Sequence, residues 1–401
     1  MTTAPARHEP ESPDLRSRLI RLEPAAAERP EAVRVVRSPA RVNLIGEHTD
    51  YNDGLVLPAA INLEIRVALV PTDDDRVELT LAATGERGVL DLRDIGPKRG
   101  MWLDYVAGTA WALREAGVPI RGFRGLLESS IPTGAGLSSS AALELAAAWA
   151  LAGGKAPALE PMTLAQTAQR AENEYVGVLC GLMDQFAVTL GKAGSALLLD
   201  CRSLAWHPVP VPAEIEIVVC HSGSPRRLEA SAYNARRAEC NRAVAAIRTH
   251  APGVVALRDV DLPMLERYRA EIDEIAYARA LHVVSENARV VEAETALRAG
   301  DLDSVGSLFA ASHASLRDRF EVSSEALDAL VEIAVGTPGV VAARLTGAGF
   351  GGCTVNLVER GRADQLRAAV ERDYAARTGL SPQVFVVEAA DGVGTLTPGA
   401  V

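Results

Sequence analysis

Residues 131–143 read IPTGAGLSSSAAL, and an alanine-rich stretch follows them as far as residues 153–154, which are both glycine. The proline and glycines predict a loop, and the alanines predict a helix that begins at the serines. The first N–H groups of a helix lack partners and lie at the positive end of its dipole, so this segment is suited to bind phosphate. Ser138 could instead cap the helix, but a cap needs only one of the three hydroxyls.

This loop differs from the common P-loop for nucleotides. A P-loop requires a lysine after its last glycine, and none occurs here, since the chain holds only Lys98, Lys155 and Lys192. Phosphate binding would therefore depend on backbone N–H groups, hydroxyls and a metal ion.

Upstream, residues 41–52 read RVNLIGEHTDYN and follow an apolar run that is typical of a strand. An arginine, two carboxylates, an imidazole, two amides and a phenol are concentrated in these twelve positions. Sugars require such sets because each hydroxyl needs a donor and an acceptor, and an unpaired buried polar group costs about 1–3 kcal/mol. The segment is a candidate polyol pocket.

Composition narrows the class of protein. The 401 residues exceed one ordinary hydrophobic core and fit two domains. A net charge of −11 and a sequence pI near 5.3, without a basic run, argue against binding to nucleic acid or a membrane surface. We find no signal peptide and no membrane span. Five scattered cysteines favour reduced thiols in a cytoplasmic protein. We expect an enzyme that acts on small molecules, and we expect it to be a monomer.

The hydrophobic pattern predicts strands at 33–45, 55–70, 196–199, 340–345 and 353–358, two strands within 77–92, and helices at 102–116, 230–248, 279–299 and 302–317. Because these elements do not alternate strictly as βαβ units, we expect an α+β fold. A glycine-rich stretch and three prolines near residue 210 place a domain boundary near residue 195. The predicted domains are 1–195, with a partly disordered lead-in over 1–30, and 196–401.

Two further segments carry candidate functional groups. Residues 346–353, TGAGFGGC, contain GxGxxG, but a dinucleotide-binding fold needs a helix next, and residues 353–358 alternate like a strand. Four glycines exceed what a tight turn needs, so we expect this backbone to pass close to a ligand or to the first domain. Asp184 lies in the apolar segment 182–186. Taken alone it is most simply a helix cap, with a functional carboxylate as the alternative.

In their order and separations these segments resemble the galactokinase branch of the GHMP small-molecule kinase family. The resemblance extends from about Val33 to about Val358 and rests on residues 41–51, 132–143, 181–185, 228–240, 282–286 and 344–353. It implies an N-terminal α+β domain, a ferredoxin-like C-terminal domain and an active site in the cleft between them. It also implies transfer of the γ-phosphate of ATP to the anomeric C1 hydroxyl of α-D-galactose, a step of galactose metabolism.

The resemblance implies roles for particular residues as well. Asp184 would accept the proton of the anomeric hydroxyl, and Arg41 would stabilise charge beside it. Ser140 and Glu172 would bind Mg²⁺. The implied sugar-binding residues are Glu47, His48, Thr49, Asp50, Gly181 and Tyr233. The residues implied to bind the ATP phosphates are Gly134, Ala135, Gly136, Leu137, Ser138, Ser139 and Ser140. The basic residue expected upstream of Tyr233 could be Arg226 or Arg227.

Two alternatives remain open. Kinases for N-acetylgalactosamine, L-arabinose or galacturonate share the same ATP loop and differ in the pocket around C2 and C6. A galactose sensor, which binds sugar and ATP with little turnover, belongs to another class. In such a sensor, lost activity is expected to accompany changes in the segment that corresponds to residues 136–142. Because residues 136–142 are uninterrupted and Asp184 is present, we favour the enzyme.

Overall fold

The fold mixes strands and helices along the whole described chain. The computed structural model describes residues 14–224 and 229–396, without the side chains of 229–231. The strands are β1 (Arg34–Asn43), β2 (Leu55–Val56), β3 (Pro58–Pro71), β4 (Arg76–Leu81), β5 (Arg87–Asp91), β6 (Phe123–Ser129), β7 (Ser195–Asp200), β8 (Trp206–Pro210), β9 (Ile215–His221), β10 (Val340–Thr346), β11 (Cys353–Glu359), β12 (Gln383–Val387) and β13 (Gly394–Leu396). The α-helices are α1 (Leu15–Leu22), α2 (Pro24–Glu28), α3 (Leu103–Glu115), α4 (Ser139–Leu151), α5 (Pro161–Arg170), α6 (Met183–Leu190), α7 (Glu229–Arg248), α8 (Leu262–Arg267), α9 (Glu274–Ala299), α10 (Leu302–Asp318), α11 (Glu325–Val335) and α12 (Ala363–Thr378).

A six-stranded sheet in the order β13-β1-β3-β6-β4-β5 forms the first layer. β1 and β3 pair antiparallel, and their register shifts between Pro39 and Ala40, just before Arg41. Helices α3 and α4 contribute to the same hydrophobic core as these strands. The N–H of Arg41 donates to the carbonyl of Leu137 at 3.2 Å. The end of β1 therefore lies directly against the segment that precedes α4.

The second large sheet is antiparallel, in the order β10-β11-β9-β12. Its strands follow the chain as β9, a helical region, β10, β11, α12 and β12, which is the ferredoxin-like βαββαβ order. Helices α11 and α12 bury their apolar residues with this sheet. Residues 347–352, here called the glycine turn, connect β10 to β11. The predicted strand after the glycines is confirmed, and with it the argument against a dinucleotide-binding fold.

A helical core lies beside this sheet. Apolar residues of α7, α8 and α9 pack there with Phe320 and Leu345. Helix α9 takes part in two cores, because Ala280 and Val283 belong to the helical core while Val290 and Ala293 belong to the core of the first sheet. α9 thus ties the two large parts of the structure together.

The lead-in expected over residues 1–30 requires a correction. Residues 1–13 lie outside the described part, but residues 14–30 are folded, and α1 and α2 pack Leu15, Leu19 and Ala26 against Val70 and Leu126 of the first sheet. Asp14 caps α1 by accepting from the N–H of Ser17 at 2.9 Å. The charged residues obscured the helical spacing of Leu15 and Leu19 in α1, and Ala26 lies in the separate helix α2.

The other predicted elements are confirmed within a few residues, except that the strand predicted at 55–70 is divided at Leu57 into β2 and β3. The third sheet has the order β2-β7-β8 and joins the chain on both sides of residue 195. β13 returns to pair with β1. A domain division at residue 195 therefore remains a proposal. No helix within the described ranges is both long and apolar enough to cross a bilayer.

Candidate active site

The polar loop, residues 44–54, follows β1 and is held by its own hydrogen bonds. The Thr49 hydroxyl lies 2.8 Å from the carbonyl oxygen of Gly46 and 2.6 Å from that of Leu55. Asn52 donates to the carbonyl of His48 at 2.9 Å. A role of Thr49 in sugar binding stays a prediction, and its fully buried side chain shapes the loop without lining the cavity described below.

His48 belongs to a cluster of aromatic rings. Its Nε2 lies 3.3 Å from the carbonyl oxygen of Ala348, which can only accept, so Nε2 carries the proton and Nδ1 accepts from the Tyr51 hydroxyl at 2.9 Å. The rings of Tyr51 and Tyr233 stand 5.9 and 5.6 Å from that of His48. Burial, with His282 nearby, lowers the pKa of His48 to about 3. His48 is therefore a neutral hydrogen-bonding group.

Glu47 forms a buried ion pair with Arg344 of β10. An Arg344 Nη2–H donates to Glu47 Oε2, and both side chains are almost completely buried. Arg344 Nη1 also donates to the carbonyl of Leu44 at 2.7 Å, and the N–H of Gly347 donates to Glu47 Oε1 at 3.0 Å. Burial raises the pKa of Glu47 to about 7, although the guanidinium opposes the shift. The second sheet thus fixes the polar loop.

Asp50 and Gly181 approach each other closely. A Cβ built on Gly181 would lie 2.0 Å from Asp50 Oδ2, so any side chain at this position would have to displace the Asp50 carboxylate. Asp50 Oδ1 accepts from the N–H of Tyr51 at 3.0 Å. Burial raises the pKa of Asp50 to about 6, with Asp184 adding to the shift and Arg41 opposing it.

Arg41 and Asp184 form a fork-to-fork ion pair. Arg41 Nε–H donates to Asp184 Oδ1 at 2.7 Å and Nη2–H donates to Oδ2 at 2.8 Å, while Nη1–H donates to the carbonyl of Gly136 at 2.8 Å. The Ser138 hydroxyl also donates to Asp184 Oδ2. Asp184 lies in the first turn of α6 without capping it, so the simplest interpretation of this residue, a helix cap, is wrong.

The serine loop, residues 131–138, leads into α4. Ser138 stands at the N-cap with φ of 60°, yet its side chain makes no capping hydrogen bond. Gly134, Gly136 and the three serines line the cavity. Ala135 and Leu137 were predicted with them, but their side chains are buried in the core and only their backbone can face phosphate. The loop presents N–H groups and hydroxyls together.

Glu172 lies on a π-helix, Ala171–Val176, which continues α5. Its Oε2 accepts from Gln185 Nε2–H at 2.7 Å and from Cys180 Sγ–H at 3.4 Å, and Ser140 also donates to its carboxylate. The same Gln185 nitrogen donates to Glu144 Oε2 at 3.0 Å. Burial is the main cause that raises the pKa of Glu172 to about 7, and repulsion from Asp184 adds to it. Burial, with repulsion from Glu172 as the next cause, raises the pKa of Glu144 well above its ordinary value.

These groups converge on one cavity of about 340 Å³. The glycine turn closes it, since a Cβ on Gly347 would lie 2.9 Å from the carbonyl oxygen of Gly136, so the prediction that this backbone passes close to the first domain is confirmed. The predicted residues on its wall are Arg41, Glu47, His48, Asp50, Gly134, Gly136, Ser138, Ser139, Ser140, Glu172, Gly181, Asp184 and Tyr233. The candidates Arg226 and Arg227 lie outside the described residues.

Sequence reasoning missed several residues at the site. Arg344 belongs to the segment 344–353 on which the resemblance rests, but no sequence pattern assigns it a role. Glu144 and Gln185 stand on α4 and α6, one turn after Ser140 and one residue after Asp184. A single carboxylate inside the apolar run of α4 was the signal that could have revealed Glu144.

Comparisons with known proteins agree with this geometry. The family profiles "Galactokinase galactose-binding signature", "GHMP kinases N terminal domain" and "GHMP kinases C terminal" match residues 26–71, 104–192 and 293–376. Galactokinases from Roseiflexus sp. (strain RS-1) and Chloroflexus aurantiacus are each 45% identical, over 91% and 90% of this chain and 94% and 93% of theirs.

Solved structures give the same result. A Lactococcus lactis galactokinase complexed with galactose superposes with a TM-score of 0.86 at 36% identity, covering 94% of this chain and all of the other. A mevalonate kinase from Methanococcus jannaschii, 19% identical with a TM-score of 0.64, shares the fold. The chain belongs to the galactokinase family of the ATP-using GHMP kinases.

Proposed function

We propose that this protein transfers the γ-phosphate of ATP to the anomeric C1 hydroxyl of α-D-galactose, giving α-D-galactose 1-phosphate and ADP. The observation that carries the proposal is the position of Asp184. It is held by Arg41 and Ser138 in one cavity whose wall is built by the polar loop on one side and the serine loop on the other. A carboxylate there can meet a sugar hydroxyl and the terminal phosphate together.

The proposed mechanism assigns each group a task. Phosphoryl transfer needs the acceptor oxygen in line with the γ-phosphorus and needs the charge on the phosphoryl oxygens neutralised. Asp184 accepts the proton of the C1 hydroxyl, and Arg41 shares the negative charge that develops beside it. The N–H groups at the start of α4 and the hydroxyls of Ser138 to Ser140 hold the phosphates without a lysine. The polar loop, Gly181 and Tyr233 orient the sugar.

We infer that Ser140 and Glu172 bind Mg²⁺ together with the phosphates. Their oxygens are the kind of ligand that Mg²⁺ prefers, and they lie within hydrogen-bonding range of each other. Among the described residues, no group of three or more His, Cys, Asp or Glu side chains is placed to hold a metal ion. When bound, the ion would supply positive charge that offsets the negative charge of the phosphates.

A sugar panel tests the proposed substrate. ADP release is measured with ATP and Mg²⁺ against D-galactose, N-acetylgalactosamine, L-arabinose, galacturonate and glucose. We expect a clear preference for galactose. Preference for another sugar would replace the substrate and keep the catalytic groups. Galactose binding without turnover of any of the five sugars would favour a sensor.

The close approach of Gly181 to Asp50 leads to a prediction. Gly181→Ala is expected to displace the Asp50 carboxylate and to weaken galactose binding by roughly 5- to 100-fold, because sugar hydroxyls then lose a partner. Calorimetric titration with galactose measures this. Gly253→Ala is the matched control, since a Cβ on Gly253 meets nothing within 4 Å. Unchanged galactose affinity in Gly181→Ala would remove Asp50 from the sugar site.

The raised pKa of Asp50 predicts a pH dependence. Asp50 accepts best when ionised, and its pKa is about 6, so its contribution to galactose affinity should be constant well above pH 6 and be lost as pH drops through 6. The fall is expected to approach at most about tenfold per pH unit. Asp50→Asn should bind galactose weakly and should lack the part of the pH dependence that comes from Asp50. Comparing the wild-type and Asp50→Asn profiles therefore separates the titration of Asp50 from that of Glu47. Parallel profiles for the two proteins from pH 5 to 8 would contradict the assignment.

We further propose that the protein acts as a monomer in the cytoplasm and divides into domains near residue 195. All five cysteines lie in the described ranges and none of them forms a disulfide, which is consistent with a reducing compartment.

A further inference from the structure

Three buried polar side chains behind the serine loop form one chain of hydrogen bonds, from Glu144 through Gln185 to Glu172. The two N–H groups of the Gln185 amide are both used, at 3.0 Å to Glu144 Oε2 and at 2.7 Å to Glu172 Oε2. Glu144 and Gln185 have no exposed surface, and neither lines the cavity. They reach the site through Glu172, and the Gln185 nitrogen also lies 3.9 Å from Sγ of Cys180, which lines the cavity.

This arrangement lowers the stability of the fold, so stability alone does not explain it. Glu144 Oε1 and Gln185 Oε1 are buried and, among the described residues, neither has a hydrogen-bond partner. Each such orphan costs about 1–3 kcal/mol, and apolar side chains would fill the same space without that cost. Local rules of packing are commonly broken at functional sites, so the hydrogen-bonded residues Glu144, Gln185 and Glu172 point to a role beyond stability.

The hydrogen bonds from Glu144 through Gln185 restrict the orientation of the Glu172 carboxylate. Gln185 and Cys180 both donate to Oε2, so Oε1 is the oxygen left for a cation at the cavity. If Glu144 did not hold the second amide N–H, the Gln185 amide could turn and present its oxygen to the Glu172 carboxylate, which would repel it. Glu144 thereby fixes the amide, and the amide fixes the carboxylate.

The three residues also connect the elements that must act together. Glu144 lies four residues after Ser140 on α4, on the same face of the helix. Gln185 follows Asp184 on α6, and Glu172 stands on the π-helix. One amide therefore sets the distance between the helix of the phosphate loop, the helix of the proposed base and the carboxylate at the metal position.

We propose that Glu144 and Gln185 are positioning residues that aim the carboxylate of Glu172 at Mg²⁺. The inference rests on the proposed metal site of Ser140 and Glu172. Partners of this kind, one shell behind a ligand, typically change metal affinity by about 10- to 100-fold when removed.

The test measures ADP binding by calorimetry with and without Mg²⁺ and needs no turnover. The effect of Mg²⁺ is the ratio of the ADP Kd without Mg²⁺ to the ADP Kd with Mg²⁺. We expect this ratio to fall about 10- to 100-fold in Gln185→Met and about tenfold in Glu144→Leu. The affinities for metal-free ADP and for galactose should be preserved. Glu144→Gln should restore the wild-type effect because a glutamine oxygen can still accept from Gln185. Gln166→Met, on exposed α5 surface, is the control.

The outcomes are distinguishable. A wild-type Mg²⁺ effect that persists in folded Glu144→Leu and Gln185→Met would overturn the inference and leave the metal site intact. Absence of any Mg²⁺ effect in the wild type would overturn both. Gln185→Asn keeps an amide of shorter reach and is the second variant if Gln185→Met does not fold; we expect the same loss.

Discussion

Asp184→Asn is expected to lower kcat by about 10²- to 10⁴-fold while leaving galactose affinity nearly unchanged. Asparagine keeps the size of the side chain and one oxygen for Arg41, but it cannot accept the proton of the C1 hydroxyl. The sugar is proposed to be held mainly by the polar loop, which this change does not touch. Steady-state ADP release gives kcat, and calorimetry gives the galactose Kd.

Glu174→Gln is the matched control for this substitution. Glu174 lies on the π-helix beside Glu172, is exposed and pairs with Arg170 at 3.0 Å, so its loss should not affect turnover. Substantial kcat remaining in Asp184→Asn would show that the proton leaves by another route. Loss of galactose binding together with kcat would show that Asp184 mainly holds the sugar.

Arg344→Met is expected to cause the largest loss of stability, about 3–5 kcal/mol in the free energy of unfolding. The substitution leaves Glu47 buried without its ion pair and removes the donor to the carbonyl of Leu44. Urea unfolding followed by tryptophan fluorescence measures the change as a lower midpoint at constant slope. Galactose should also bind more weakly, because the polar loop loses its contact with β10.

A double-mutant cycle separates the ion pair from packing. Arg344→Met combined with Glu47→Leu should be more stable than the sum of the single changes predicts, because no buried charge then lacks a partner. Arg372→Met is the control, since Arg372 is exposed and its ion pair within the described ranges is with neighbouring Asp373. Strict additivity would mean that Arg344 acts through its packing.

Much of the fold could be predicted from periodicity and glycine positions. The strand after the glycine turn and the helix after the serines follow directly from local pattern. The strand decided against a dinucleotide-binding fold, and the absence of a lysine after the last glycine decided against a P-loop. The folded segment at residues 14–30 was missed because its apolar residues are separated by charges. Its stability comes from packing on the first sheet, which local sequence does not show.

The site could be predicted less completely. His48, Asp50 and Glu47 carry polar groups in one short segment, and composition alone drew attention to them. Glu144 and Arg344 act from helix and strand positions where ordinary core residues would stand, and their partners are about 40 and 300 residues away. Such pairings depend on how distant elements meet, so no local pattern identifies them.

The position of the new phosphate tests the central claim most directly. Phosphorus NMR is recorded on the product formed by the wild-type protein from galactose, ATP and Mg²⁺. The account predicts a sugar phosphate whose phosphorus is coupled to the anomeric proton of the α-anomer, formed in step with ADP. Phosphorus coupled to the C6 protons, or inorganic phosphate as the sole product, would contradict it.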